Sequence, residues 1–310
     1  MQLLAREKRW DEAYREADRV SRAQPEDPLA LEIETELAFR AKRGADAERL
    51  VRQLRTRAGH DPERLTRLVA LLARNLRGKE AVAVADGFAR VGPVPRGLEI
   101  AAQARSLVGD GPGAIAKARE AIAAAPDSIS PRLLLGSLFE AQHRYAAAES
   151  ALALAVGHGA DSLETTLEIA FCREQAGDAL GAEHAARDAL EIAPHSPRSL
   201  NFLGYLLADH DKSLEEALAL VRQAVALDPD NGAYVDSLGW VYYRLGRLDE
   251  ARTELERAVH LTDGDAVVHE HLGDVYKKLK LLDLAREQYQ LSLAANTSNA
   301  KVRAKLAELR

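Results

Sequence analysis

Small residues recur at one fixed interval along the whole chain, and this constrains the fold more than any other feature. Alanine occupies nine positions separated by 33 to 35 residues, namely Ala13, Ala47, Ala81, Ala114, Ala148, Ala182, Ala217, Ala251 and Ala285. A second small residue follows seven positions later at Ala121, Ala155, Ala189, Ala224, Ala258 and Ser292. Self-similarity at such an interval is typical of stacked repeat proteins, in which each unit packs only on its neighbours.

A second pattern precedes each alanine and predicts a pair of closely packed helices. Val235-x-x-Leu238-Gly239-x-x-Tyr242 is followed 34 residues later by His269-x-x-Leu272-Gly273-x-x-Tyr276. Small residues at facing positions let two helix axes approach to the short end of the usual range of about 8–10 Å. Prolines such as Pro194 and Pro229 then end the second helix of a repeat. Helices this short are marginal alone, so we expect stacking to supply the stability.

The composition suits soluble amphipathic helices, with 47% hydrophobic and 29% charged residues. The net charge of −6 is unevenly spread: residues 1–108 hold 21 Lys/Arg and 17 Asp/Glu, whereas the rest holds 21 and 31. An acidic second part would repel phosphates, which argues against a general nucleic-acid binder. The charges fit ordinary solvated helix faces better than an electrostatic map of a partner. We expect no membrane-spanning segment, because no apolar run reaches about 18 residues. We also expect no signal peptide, because Met1 leads into Leu3-Leu4-Ala5-Arg6-Glu7-Lys8, which is amphipathic and charged.

The repeated residues resemble the tetratricopeptide repeat, and the resemblance extends over essentially the whole chain. It implies an all-α fold, a right-handed superhelix of about eight to nine helix-turn-helix repeats with a carboxy-terminal capping helix. Leu200-Asn-Phe-Leu-Gly-Tyr and Asp236-Ser-Leu-Gly-Trp-Val-Tyr-Tyr also resemble bacterial repeat proteins of the cell envelope, some of them lipoproteins. That second resemblance implies a periplasmic or outer-membrane location, although the chain has no lipobox and a cytoplasmic location stays open.

Departures from the repeat divide the chain into three predicted parts. Residues 1–94 form degenerate repeats without the first-helix glycine, and we expect their first repeat to be truncated or to have a short first helix. Regular repeats follow in 95–299, and 300–310 form the capping helix. Val91–Gly97 marks either a kink or an ordinary turn between the first two parts. Ser213 and Glu216 suggest a capping box at the start of a helix.

No motif points to an enzyme, a cofactor or a metal. His269 and His271 are two residues apart on a predicted helix, so their side chains point in different directions and cannot share an ion. Cys172 has no His or Asp partner in register, which favours a half-buried structural thiol over a nucleophile. We therefore expect a protein that is not catalytic.

The resemblance implies that the first helices line a concave groove that holds a protein or peptide partner. The resemblance implies partner binding at the groove positions of this repeat family, which correspond here to Arg198, Asn201, Tyr205, Asp209, Asp236, Trp240, Tyr243, Arg244, Glu270, Asp274, Lys277 and Lys278. Earlier repeats contribute Leu133, Ser137, Glu140, Leu167, Phe171 and Glu174.

Tyr205, Trp240 and Tyr243 have the composition expected of a binding hot spot. Trp240 could instead pack between neighbouring helices as core. A chaperone-type clamp for a terminal carboxylate is disfavoured, because Asp236, Glu270 and neighbouring positions would repel it. A partly basic or aromatic segment fits better.

The sequence thus predicts a non-catalytic scaffold or adaptor. Two alternatives stay open. The chain could be the interaction arm of a larger enzyme or of a secretion or envelope assembly. It could also be a self-associating structural protein whose basic first part docks on the acidic second part of another copy.

Overall fold

Short helices joined by tight turns make up the chain. The structure, a computed structural model, describes residues 2–309, with only the backbone described for residues 2 and 162. Within this range every regular element is a helix, which confirms the predicted all-α fold. The helices are α1 Gln2–Arg6, α2 Trp10–Ala23, α3 Pro28–Arg40, α4 Gly44–Ala58, α5 Pro62–Arg74, α6 Gly78–Val91, α7 Val94–Leu107, α8 Gly111–Ala124, α9 Ser130–Glu140, α10 Tyr145–Gly157, α11 Ser162–Gln175, α12 Ala179–Ile192, α13 Pro197–Asp209, α14 Leu214–Leu227, α15 Gly232–Arg244, α16 Leu248–Leu261, α17 Ala266–Lys278, α18 Leu282–Ala295 and α19 Ala300–Ala307.

Side-chain caps define where most odd-numbered helices begin. An Asp, Asn or Ser side chain accepts a hydrogen bond from the first turn at seven starts, namely Asp27, Asp61, Asp161, Ser196, Asn231, Asp265 and Asn299. Such a cap satisfies a backbone N–H that has no partner inside the helix. The odd-numbered helices up to α17 are the first helices of the repeats, so side-chain caps mark the start of most repeats.

The turn between α13 and α14 has two residues with a left-handed backbone, the second being Ser213. In every helix pair, one such residue occupies the equivalent position of the turn. These residues are Lys8, Lys42, Leu76, Gly109, His143, Gly177, Asp211, Gly246 and Lys280. Glycine adopts this conformation without a steric cost, whereas other residues tolerate it singly. The nine turns repeat the interval seen in the sequence, so residues 2–309 contain nine helix pairs followed by α19.

The chain divides into two units, the first ending at Ala160 and the second starting at Asp161. In the first unit, successive helix pairs enclose an apolar core that includes Leu50, Leu72 and Ile100. In the second unit, the core includes Leu203, Val221 and Tyr289. The predicted change from irregular to regular repeats at residue 94 lies within the first unit and does not coincide with this division.

The first and second helices of the second unit approach each other over glycine. A β-carbon added at Gly239 would lie 2.5 Å from Cγ of Leu255, and one at Gly204 would lie 2.5 Å from Cγ2 of Val221. Side chains do not tolerate such distances, so these positions require glycine. The predicted role of the first-helix glycine is therefore confirmed in these repeats.

One local prediction was wrong. Ser213 precedes α14, but its side chain makes no capping hydrogen bond, and its backbone is left-handed with φ of 42°. A capping residue needs an extended backbone to direct its hydroxyl at the first turn. Left-handed backbone at both Asp211 and Ser213 shapes the turn before α14 instead.

The sequence predicts no membrane-spanning segment. Among residues 2–309, none of the helices combines the length and the apolar character needed to cross a bilayer.

Candidate functional site

The predicted partner-binding residues lie on the first helices of the second unit. Helix α13 packs against α15, and α15 packs against α17. The surface that these three helices present together is called the first-helix face below. Because equivalent positions are one repeat apart, residues on this face meet residues about 34 positions away in the chain.

Trp240 occupies the middle of the first-helix face, where it is packed between two rings. Its indole stacks on His271 at 4.2 Å between ring centroids and on Tyr243 at 5.0 Å. The Arg244 guanidinium lies 5.5 Å from the ring centroid, within range of a cation–π interaction. Trp240 is only 8% exposed. It therefore belongs to the packed core as well as to this face.

Asp236 and His271 form a buried pair beneath the rings. His271 Nδ1 lies 2.9 Å from Asp236 Oδ1, and both residues are buried. Burial alone would lower the pKa of His271, but the adjacent Asp236 carboxylate outweighs it and raises that pKa above its ordinary value. Asp236 thus holds the imidazole that supports Trp240.

Other charged residues predicted to bind a partner are paired with the neighbouring repeat. Arg198 pairs with Glu164, and Arg244 Nε donates a hydrogen bond to Asp211 at 2.9 Å. Arg244 also donates to the Asp209 carbonyl at 3.0 Å. These pairs, 33 to 35 residues apart, link one first helix to the next.

The last helix, α19, pairs with three further predicted residues. Lys305 Nζ lies 2.7 Å from Glu270 Oε1 and 2.6 Å from Asp274 Oδ2. Lys277 pairs with Glu308 at 2.6 Å. Burial would lower the pKa of Lys305, but hydrogen bonds to the two carboxylates raise it. The chain's own capping helix therefore engages Glu270, Asp274 and Lys277.

The remaining predicted residues include the two tyrosines, Asn201 and Lys278. Tyr205 and Tyr243 are half-buried, and Lys278 is exposed. Burial, together with the carboxylates of Asp209 and Asp236, raises the pKa of Tyr205.

Two hydrogen-bonding atoms on this face are buried without a partner. They are Nε1 of Trp240 and Oδ1 of Asn201, and neither has a hydrogen-bond partner among the described residues. A buried polar atom without a partner is costly, by about 1–3 kcal/mol, and such atoms are rare in folded proteins.

Part of the second unit matches a known protein family. Two family models described as tetratricopeptide repeat match residues 173–232 and 210–273. The chain is 38% identical to TPR repeat-containing protein PA4667 of Pseudomonas aeruginosa over 78 residues, which are 25% of this chain and 13% of that protein. Residues 173–273 thus contain tetratricopeptide repeats.

Solved structures show the same fold at low sequence identity. A tetratricopeptide-repeat protein of Parabacteroides merdae is 14% identical with a TM-score of 0.65, covering 81% of this chain and 99% of that one. A chain of the APC/C hetero-tetramer Cut9-Hcn1 is 18% identical with a TM-score of 0.61, covering 96% and 59%. A thermophilic TPR protein of Thermus thermophilus is 23% identical with a TM-score of 0.52, covering 59% and 98%.

The groove positions predicted in the earlier repeats differ in their burial and in their contacts. In the second unit, Leu167 is buried, Phe171 is 41% exposed, and the Glu174 carboxylate lies 2.9 Å from His210 Nε2. In the first unit, Leu133 and Glu140 are half-buried and Ser137 is exposed.

The first unit contains an apolar recess that was not predicted from the sequence. It has a volume of about 400 Å³ and lies between first helices α5, α7 and α9, with Val69, Gln103, Leu107 and Leu134 in its lining. Small residues at groove positions, such as Ala70 and Ser106, are the signal that could have revealed it.

His269, His271 and Cys172 were considered above as metal ligands or as a nucleophile, and the structure shows what surrounds them. His269 Nδ1 lies 2.7 Å from Gln288 Oε1, so the two histidines of the His269-Glu270-His271 sequence contact different partners. Cys172 is fully buried rather than half-buried. Across residues 2–309, with the side chains of residues 2 and 162 set aside, no cluster of three potential metal ligands occurs.

Proposed function

We propose that this tetratricopeptide-repeat chain is a non-catalytic scaffold that holds an extended protein segment on the first-helix face of its second unit. The observation that carries this proposal is the pair of buried atoms without partners, Nε1 of Trp240 and Oδ1 of Asn201. An extended backbone offers a carbonyl for the indole N–H and an N–H for the amide oxygen.

The side chains around these atoms suggest the composition of the segment. Tyr205 and Tyr243 are half-buried rings that can pack against an apolar or aromatic side chain. The carboxylates of Asp209 and Glu174 lie near Tyr205 and can attract a basic residue of the segment. A segment with aromatic and basic residues therefore complements this face.

Binding requires a small rearrangement, because both atoms are shielded from solvent. Tyr243 stacks on the indole and is only half-buried, so rotation of its ring is the most direct way to open the indole N–H. Rotamer changes of this kind are common when proteins bind partners.

The family supports the general kind of function, and the rest is our proposal. The alignment spans only 13% of the Pseudomonas protein, so the role of a longer polypeptide cannot be transferred to this chain. We extend the proposal to a bacterial envelope location, on the sequence resemblance alone. Fractionation of cells producing the natural protein, followed by immunoblotting, tests the location; recovery solely with cytoplasmic proteins contradicts it.

The binding proposal is tested with a random peptide library displayed on phage. We expect selection on the wild-type chain to enrich aromatic and basic peptides. A selected synthetic peptide should bind Trp240→Phe about three- to tenfold more weakly by calorimetry, because Phe keeps the ring but removes the N–H. Gln53→Ala, an exposed change on α4, is the control and should bind normally. Absence of enriched peptides, or unchanged affinity for both Trp240→Phe and Asn201→Ala, would overturn the proposal.

A further inference from the structure

Helix α18 carries leucines on its outer surface, away from both unit cores. Leu281 precedes the helix, and Leu284 and Leu291 lie within it; their exposed fractions are 38, 42 and 42%. These three residues are called the leucine patch. Leu282, 45% exposed, adjoins it. Exposed apolar residues that cluster in this way commonly mark interaction surfaces.

The preceding repeat shows what these positions normally hold. Exactly one repeat earlier, 34 residues back, stand Arg247, Glu250 and Arg257. Arg247 and Glu250 form an ion pair at 2.6 Å. The repeat therefore accommodates charged residues at these positions, and packing within α17 and α18 does not require leucine there.

Continuation of the helical array would not cover the patch. The preceding repeat already has a full helix pair stacked after it, yet the side chains of Arg247, Glu250 and Arg257 remain 40, 46 and 41% exposed. A further repeat stacked on α17 and α18 in the same way would leave the leucines equally open. Their cover must therefore come from outside the array.

We propose that the leucine patch is the contact surface for a second copy of this chain, with the two α18 helices antiparallel. The charges beside the patch carry this choice of partner. Lys280 and Glu287 are both exposed, have opposite charges, and bracket Leu284. An antiparallel arrangement centred near Leu284 brings Lys280 of each copy to Glu287 of the other. It places Leu281 and Leu284 at the centre of the contact and Leu291 at its edge. The contact is isologous, as in most homodimers, and lies outside the partner-binding face proposed above.

Sedimentation velocity and light scattering over a concentration series test this inference. We expect the wild-type chain to approach twice its 33.8 kDa mass as the concentration rises. The double variant Leu281→Arg/Leu284→Glu, which installs the pair found in the preceding repeat, should remain at the single-chain mass. Circular dichroism should show unchanged helix content, since the preceding repeat folds with these residues.

A control and a charge exchange separate this contact from general stickiness. Leu154 on α10 occupies the same repeat position as Leu291 and is 61% exposed, so Leu154→Arg should leave dimerisation unchanged. Lys280→Glu should weaken the dimer, and Lys280→Glu/Glu287→Lys should restore it. A wild-type chain that stays single at every concentration overturns the inference. So does a dimer that the double leucine variant leaves intact, or a charge exchange that fails to restore it.

Discussion

The early repeats of the first unit and the repeats of the second unit build the same helix pair in different ways at its tightest point. In the second unit, Gly239 and Gly273 sit where the paired helix leaves no room for a β-carbon. In α3 and α5 of the first unit, the corresponding residues are Thr35 and Val69, and both are fully buried, whereas Gly136 in α9 already shows the close approach. The partner helices there must leave space for a branched side chain. One repeat pattern therefore permits two packing solutions, and the glycine solution depends on a much stricter fit.

The first-helix faces differ as well. In the second unit, aromatic rings stack over a buried ion pair, Asp236 with His271. In the first unit, small residues leave an apolar recess, and the ion pair Glu32–Arg67 is more exposed. Stability in the second unit should therefore depend more strongly on individual side chains.

The largest expected effect comes from removing the central ring of the second unit. Trp240→Ala should destabilise that unit by about 3–5 kcal/mol, because it deletes a buried aromatic side chain stacked on two others. Urea unfolding followed by circular dichroism measures the loss. A cost below about 1 kcal/mol would show that Trp240 contributes little to packing.

Replacing a glycine of the second unit by the branched residue found in the first unit should give the next largest loss of stability. Gly239→Val installs the residue that the first unit uses at Val69, and it should cost about 3 kcal/mol through overpacking against Leu255. The same unfolding measurement applies. Gly87→Ala is the matched control, since Gly87 is a helical glycine of the first unit with open space around it. It should stabilise the chain by about 0.5–1 kcal/mol. Equal effects of the two changes would remove the contrast between the units.

The buried ion pair should make the second unit sensitive to pH. The folded-state pKa of His271 is raised above its ordinary value of 6.5, and Glu270, Asp274 and Asp236 are the carboxylates that favour its charged form. The stability that this pairing contributes is complete below about pH 6.5 and is lost as pH rises through the folded-state pKa. Chemical denaturation at a series of pH values measures it. His271→Gln should flatten the dependence, and an unchanged slope in that variant would assign the effect elsewhere.

The smallest effect is expected at the capping helix. Lys305→Met removes the partner of Glu270 and Asp274 but keeps the apolar stem, so the loss should be about 1 kcal/mol or less in a partly solvated pair. Thermal unfolding at low and high salt measures it. Because salt screens exposed charges, the difference between variant and wild type should shrink at high salt. A loss several times larger would show that α19 depends mainly on this contact.

The sequence predicted the repeat architecture because its determinants are local and periodic. Gly239 and Ala251 define where two helices meet, and their spacing suffices to place both helices. The environment of Trp240 was harder to predict, because its burial depends on His271 from the next repeat. A search for complementary residues at one-repeat spacing would have found Asp236 with His271 and Glu164 with Arg198. The buried atoms of Trp240 and Asn201 depend on side-chain orientation, which no spacing reveals.

The ion pairs between neighbouring first helices follow one pattern, so the contact between one pair of repeats could replace the contact between another. Asp236 and Glu270 occupy one repeat position, and His271 and Lys305 occupy another, each 34 residues apart. Each junction therefore joins an acidic residue on one first helix to a basic residue on the next. Excision of residues 266–299 would align Asp236 with Lys305, so a shortened chain would preserve the charge match at its new junction.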